Sequence, residues 1–141
     1  MPVPSDFTPE DLAVLLPFFR ASGAERIAGM RHTLGRLEQV PDDTEALTTL
    51  HRAAHSLKGA ALQLGFARIG MLARAMETAA AASRTQSNGM PADALPLFAR
   101  CADRLEIYLQ DLDADDDASD TGEDLLGELE AMTAPRGFKP H

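Results

Sequence analysis

The stretch HRAAHSLKGAALQLG, residues 51–65, decides the fold of this chain of 141 residues. At about 100° per residue on a helix, it and the residues just before it separate into two faces. One face is an aliphatic arc: Leu47, Leu50, Ala54, Leu57, Ala61 and Leu64. The opposite arc carries His51, His55, Lys58, Gly59 and Leu62. The stretch therefore predicts a helix that packs on other helices and presents a polar surface, where we expect the function.

Apolar residues at helical spacing continue along the rest of the chain. Ala and Leu dominate the composition, whereas Val, Ile, Tyr and Trp, which favour strands, are scarce. We predict helices near residues 9–16, from Pro17 to Pro41, at 43–64, at 66–82 and from Pro91 to Leu112. The first helix ends at a break or kink at Pro17, because proline inside a helix loses a hydrogen bond. Gly65 is the expected C-terminal cap of the third helix.

Together these patterns predict an all-α fold, an up-down-up-down four-helix bundle with a short N-terminal helix and an acidic, partly disordered C-terminal segment. The net charge is −9, but residues 1–110 carry twelve acidic and eleven basic residues, whereas residues 111–141 carry ten and two. We therefore divide the chain into a bundle over 1–112 and an acidic tail over 113–141. The tail can form a short helix around residues 125–132, packed on the bundle or free. Residues 1–7, the charge run 111–120 and residues 134–141 are predicted to be unstructured.

Composition also limits the classes of partner and the location of the protein. The acidic balance argues against nucleic-acid binding, which needs clustered Lys and Arg. The single cysteine, Cys101, excludes an intramolecular disulfide, fits a reducing cytosol and is expected to be a small core residue. The sequence shows neither an apolar run of the roughly 18 residues needed to span a membrane nor a signal peptide. We expect a soluble, cytoplasmic monomer that contacts neither nucleic acid nor membrane.

The motif His55-Ser56-Leu57-Lys58-Gly59 resembles the histidine-containing phosphotransfer (HPt) domain family. The resemblance covers residues 43–80 in detail and includes these later positions: Gly65, Ile69, Leu72, Met76 and Glu77. It implies a helical bundle in which His55 accepts a phosphoryl group from a receiver-domain aspartate and passes it to another. It also implies the partners: response-regulator receiver domains and a hybrid or sensor histidine kinase.

The chemistry of the motif agrees with this resemblance. An exposed histidine is largely neutral at cytosolic pH, as a nucleophilic imidazole must be. Lys58, one turn from His55, can steady the charge of the phosphoryl group. Gly59 leaves room for a partner to approach, and we assign His51 and Leu62 to the surface on which the partner docks. The sequence shows no ATP-binding loop and no acidic Mg²⁺ cluster. We therefore expect a phosphoryl carrier, not an enzyme, that needs no cofactor because the partner supplies Mg²⁺ and the catalytic aspartate.

Three alternatives compete with this interpretation. His51 and His55, spaced i and i+4, could hold a metal ion in a helical bundle, but that site would need a third ligand. The domain could be a helical adaptor without phosphotransfer. It could also be one module of a chemotaxis-type histidine kinase, although no dimerisation or ATP-binding domain follows it in this sequence, so we expect that this chain alone is not such a kinase.

Overall fold

The computed structural model describes residues 8–86, 88–112 and 122–133. This part of the chain contains five α-helices. They are α1 (Pro9–Gln39), α2 (Thr44–Leu64), α3 (Ala67–Arg84), α4 (Ala94–Gln110) and α5 (Glu123–Thr133). These ranges contain no strand, so the prediction of an all-α fold is confirmed for them. The predictions for residues 1–7, for most of the charge run and for residues 134–141 lie outside the described residues.

The four long helices contact one another in a ring, as the helices of a four-helix bundle do. Helix α1 packs on α2 and α4, and α3 packs on α2 and α4. The predicted aliphatic arc of α2 faces the core of this ring. Five of its six residues are buried, and Leu64 at the end of the helix is half-buried. The arc therefore anchors α2 and turns the opposite face of the helix outward.

Helix α1 continues through Pro17, so the predicted separate helix over residues 9–16 is wrong. Pro17 and Ala13, the residue one turn before it, are both exposed. Water can therefore hydrate the Ala13 carbonyl, which has no amide partner at Pro17, and this lowers the cost of a proline inside the helix. The start of the helix agrees with its sequence, because the Thr8 hydroxyl and the Asp11 carboxylate form a capping box.

Helices α2 and α3 form a tight antiparallel hairpin. Gly65 has a φ of 86°, in the left-handed region that favours glycine, and its amide donates to the carbonyls of Ala61 and Leu62. The predicted glycine cap is thus confirmed. Because α3 begins two residues later, the chain reverses at once, and the two helices lie side by side along most of their length.

Helix α5 packs against α3 and α4, which agrees with the packed alternative for the predicted C-terminal helix. Leu125 and Leu129 are buried in the same core as the bundle. At its surface, Glu128 accepts two hydrogen bonds from Arg100 at 2.9 and 2.7 Å. The division of the chain at residue 112 stays a prediction. None of the five helices is long and apolar enough to cross a membrane.

Candidate functional site

The α2–α3 hairpin places His55 beside Glu77. His55 lies ten residues before Gly65 and Glu77 lies twelve residues after it, so the antiparallel helices bring them to the same level. His55 is the most exposed side chain of the group that results, at 61 %, whereas Glu77 is only 15 % exposed. The site therefore has a nearly buried carboxylate below an exposed imidazole.

The Glu77 carboxylate is the centre of a cluster with His51, His55 and Lys58, which we call the Glu77 cluster. Its Oε2 lies 2.6 Å from Nδ1 of His55, and its Oε1 accepts from Nζ of Lys58 at 2.7 Å. Nε2 of His51 lies 3.7 Å from Oε2, at the margin of an ion pair. Two charge-assisted hydrogen bonds thus hold the carboxylate from two positions one turn apart on α2.

These contacts determine the protonation of the carboxylate and of the imidazole. Partial burial raises the pKa of Glu77, but the hydrogen bonds from Lys58 and His55 outweigh it and hold the pKa below its ordinary value. Glu77 is therefore a carboxylate at neutral pH and can only accept the hydrogen bond from His55. The proton of a neutral His55 consequently belongs on Nδ1, which leaves the lone pair on Nε2.

The predicted site residues lie close together on α2, but they do not all share the predicted exposure. Gly59 is exposed, and a Cβ added to it would meet nothing within 4 Å. His51 is half-buried, and its ring is nearly parallel to that of His55, at 12° and 6.4 Å between centroids. Lys58 is half-buried, and its ammonium is bound to Glu77.

Leu62 differs most from its expected position on the polar face. Its side chain is half-buried and lies over Gly70 of α3, where an added Cβ would overlap with it. Leu62 was expected on the outward face of the helix, and close packing of α3 on α2 covers part of its side chain. A docking contact by its remaining exposed surface stays a prediction.

Glu77 is the site residue to which sequence reasoning gave no role, although it belongs to the motif that carries the family resemblance. It is the one acidic residue of α3. Residues paired across a tight helical hairpin lie at similar distances from the turn, so this acid could have been matched to His55 once Gly65 was recognised as the cap.

An open groove of about 430 Å³ surrounds His55. Besides residues of the Glu77 cluster, Arg52 and Ser56 of α2 and Arg84 of α3 line it. Within the described ranges, no group of three His, Cys, Asp or Glu side chains is arranged to hold a metal ion. The metal-binding alternative for His51 and His55 thus gains no third ligand from this part of the chain.

Cys101 lies apart from the site, in the core. It is fully buried, as predicted, and burial raises the pKa of its thiol to about 12. The thiolate is therefore negligible at neutral pH, which removes this cysteine from the candidate nucleophiles.

Comparison with known proteins identifies the family. The family model described as "Hpt domain" matches residues 14–115, which is more than half of the chain. The chain therefore belongs to the Hpt domain family. It is a histidine phosphotransfer domain of two-component signalling, and Hpt domains carry phosphoryl groups rather than catalyse a reaction of their own.

The similar curated proteins are much longer than this chain. Chemotaxis protein CheA of Listeria monocytogenes is 22% identical over 121 residues, which cover 86% of this chain and 20% of that protein. Chemotaxis protein CheA of Halobacterium salinarum is 28% identical over 119 residues, 84% of this chain and 17% of that protein. The chain thus spans about a fifth of the length of these relatives. No solved structure matches it significantly.

Proposed function

We propose that His55 is the phosphoacceptor and that it reacts through Nε2. In this proposal the phosphoryl group comes from the aspartyl phosphate of a receiver domain, or from a cognate sensor or hybrid histidine kinase, and passes on to a response regulator. The observation that carries the proposal is the 2.6 Å contact between Nδ1 of His55 and Oε2 of Glu77. It fixes the proton on one ring nitrogen and leaves the other as the nucleophile.

The transfer follows from this geometry. The Nε2 lone pair attacks phosphorus, the N–P bond forms, and the bond between phosphorus and the aspartyl oxygen breaks, which releases the aspartate as a carboxylate. The ring becomes cationic as the bond forms, because Nδ1 keeps its proton. Glu77 stabilises that positive charge without further rearrangement, since its carboxylate is already in place. The reverse sequence loads the next receiver.

The other predicted residues support His55 in this proposal. Lys58 holds Glu77 at 2.7 Å and also remains our candidate for steadying the negative charge of the phosphoryl group. Gly59 keeps the approach to the imidazole free of a side chain, and His51 and Leu62 contribute to the docking surface. The partner supplies Mg²⁺ and the catalytic aspartate. We further propose that the protein acts as a cytoplasmic monomer.

The test mixes the protein with a receiver domain carrying a radiolabelled aspartyl phosphate. The wild-type protein should take up label that is labile to acid and stable to base, as a phosphoramidate is. His55→Gln should take up none, whereas His51→Gln, the matched change one turn away, should be labelled. Label on His55→Gln would refute the assignment, and loss of label only in His51→Gln would mean that His51 is the acceptor.

The metal-binding alternative has its own measurement. A protein that held zinc or iron through His51 and His55 would retain stoichiometric metal after desalting, and either histidine variant would lose it. Absence of retained metal together with labelling of His55 would support the phosphotransfer proposal over this alternative.

A further inference from the structure

A second groove, of about 410 Å³, lies between α1 and α2. Arg26 and Gly29 of α1 line one side, and Thr49, Arg52 and Ser56 of α2 line the other. The groove therefore combines two guanidinium groups with two hydroxyl groups. None of these residues belongs to the Glu77 cluster.

The guanidinium of Arg26 has a donor that the protein does not satisfy. Its Nε is buried and has no hydrogen-bond partner among the described residues. Other arginines of the described chain hold carboxylates: Arg31, Arg36, Arg100 and Arg104. A buried donor without an acceptor is unfavourable, because it has lost its hydration and gained nothing in return. The groove is thus suited to a ligand that brings an acceptor to Arg26.

We infer that this groove binds a carboxylate side chain of the protein that exchanges the phosphoryl group with His55. A carboxylate can accept from Nε and from a terminal nitrogen of one guanidinium at the same time, which satisfies the buried donor once the Arg26 side chain turns towards the groove. Glu25 also lines the groove, but two arginines leave it with a net positive charge. The inference rests on the proposed function, since it concerns the partner in that transfer.

The position of the groove connects it to the acceptor. Arg52 and Ser56 line both this groove and the groove around His55, so the two are adjacent across α2. Arg52 precedes His55 by three residues, about one helical turn. A partner held by its carboxylate on the α1 side therefore also reaches the groove around His55, and correct positioning of the reacting groups accelerates transfer.

The main test introduces a carboxylate at the edge of the groove. Gly29 is exposed, and a Cβ added to it would meet nothing within 4 Å, so the start of the side chain in Gly29→Glu displaces no neighbour. The new carboxylate can pair with Arg26 one turn before it and repel an acidic partner. With a phosphorylated receiver domain that labels the wild-type protein, we expect KM for transfer to rise about tenfold with little change in kcat. Gly35→Glu is the matched control on the same helix, with equally open surroundings, and should behave as wild type.

A second pair of variants removes the donors. Arg26→Gln and Arg52→Gln should each raise KM and weaken the dependence of transfer on ionic strength. Arg20→Gln, which removes the same charge from an exposed position of α1 outside both grooves, should leave both properties unchanged. Phosphoramidate is a small donor that needs no docking surface. It should label His55 of Gly29→Glu and Arg26→Gln, whose changed residues lie outside the groove around His55, at the wild-type rate.

The outcomes separate the two proposals. If no phosphorylated receiver labels the wild-type protein, the proposed function fails and the docking inference fails with it. If receivers label the wild-type protein, and Gly29→Glu and both arginine variants keep wild-type KM values, only the docking inference is overturned. Slower labelling by phosphoramidate in Arg26→Gln would also overturn it, because Arg26 would then act on His55 itself.

Discussion

Glu77 gives His55 two properties that a histidine on an isolated helix would lack. The 2.6 Å contact at Nδ1 fixes the tautomer, and the carboxylate offsets the charge that the ring acquires when Nε2 forms a bond. Lys58 keeps the carboxylate oriented and ionised. In our proposal His55 and Glu77 therefore form the reactive unit, and Lys58 positions the carboxylate within it.

Glu77→Gln tests this division of roles. The amide of this variant has no negative charge to offset the imidazolium. Because an amide can donate or accept a hydrogen bond, it no longer fixes the His55 proton on Nδ1. We expect the rate of transfer from a saturating receiver phosphate to fall roughly 10-fold to 100-fold. The ¹⁵N chemical shifts of the His55 ring should show a mixture of tautomers. Glu45→Gln, a change of the same type at an exposed position of α2, should alter neither. A wild-type tautomer with a wild-type rate in Glu77→Gln would contradict the role of Glu77.

The same carboxylate makes a pH-dependent contribution to stability. Burial raises the pKa of Glu77, but hydrogen bonds from Lys58 and His55 bring it below its ordinary value of 4.5. Its stabilising effect is therefore fully present above that value. The effect is lost as pH falls from there through the lowered pKa of the folded state, because the unfolded chain takes up the proton first.

Urea unfolding of the wild-type protein and Glu77→Gln across about pH 6 to 3 measures this contribution. The free energy of unfolding should fall more steeply with decreasing pH for the wild-type protein, and the difference between the two proteins should shrink towards the acidic end. A constant difference over the whole range would show that the Glu77 pKa is not lowered by folding.

Gly59 lowers the intrinsic stability of helix α2, and we propose that it does so in favour of partner binding. A glycine inside a helix costs about 0.5–1 kcal/mol relative to alanine, and Gly59 lies in a segment that is otherwise rich in alanine. The space around Gly59 is open, so packing within the described chain does not require a glycine there. Approach of a partner to His55 is the reason that we propose.

Gly59→Ala and Gly35→Ala make a matched pair for this question. Both positions are exposed, helical and open, so each change should raise the free energy of unfolding by about 0.5–1 kcal/mol in urea titrations. Only Gly59→Ala should slow transfer from a phosphorylated receiver domain. If Gly59→Ala stabilised the protein and transferred at the wild-type rate, the glycine would have no role in docking.

The helices also show which structural features can be predicted from local sequence. Gly65 was identified as a cap, and the aliphatic arc of α2 as a buried face, because both depend on residues within a few turns of each other. The helix end predicted at Pro17 was wrong because the cost of a proline depends on whether its unpaired carbonyl can reach water. The contact between His55 and Glu77 joins residues 22 positions apart, and its geometry follows only once the hairpin is built. The motif singled out His55, whereas the distances around His55 required the tertiary structure.

At the scale of the whole molecule, α5 completes the core of the bundle on the side of α3 and α4. Its surface ion pairs are exposed, and such pairs contribute little to stability in water. Leu125 and Leu129, each 1 % exposed, are therefore expected to hold the helix in place.

Leu129→Ala should accordingly lower the free energy of unfolding by about 2–4 kcal/mol, through lost burial and the cavity that remains. Glu128→Gln, which removes the ion pair with Arg100 on the adjacent surface, should cost much less. Urea titrations at low and high salt distinguish apolar burial from ion pairing, because salt screens the exposed ion pair. A larger loss in Glu128→Gln than in Leu129→Ala would mean that ion pairs, and not apolar burial, hold α5 on the bundle.

Gly70 bears on the site because it allows helices α2 and α3 to lie close together. Leu62 occupies the space that a side chain at position 70 would need, so the absence of a Cβ there lets α2 and α3 approach closely. Glu77 lies about two turns further along the same helix, and its short side chain must reach both Nδ1 of His55 and Nζ of Lys58. A bulkier residue at position 70 would displace the Leu62 side chain or widen this gap. We therefore expect the tautomer of His55 to depend in part on a Cβ that is absent 15 residues away from it in sequence.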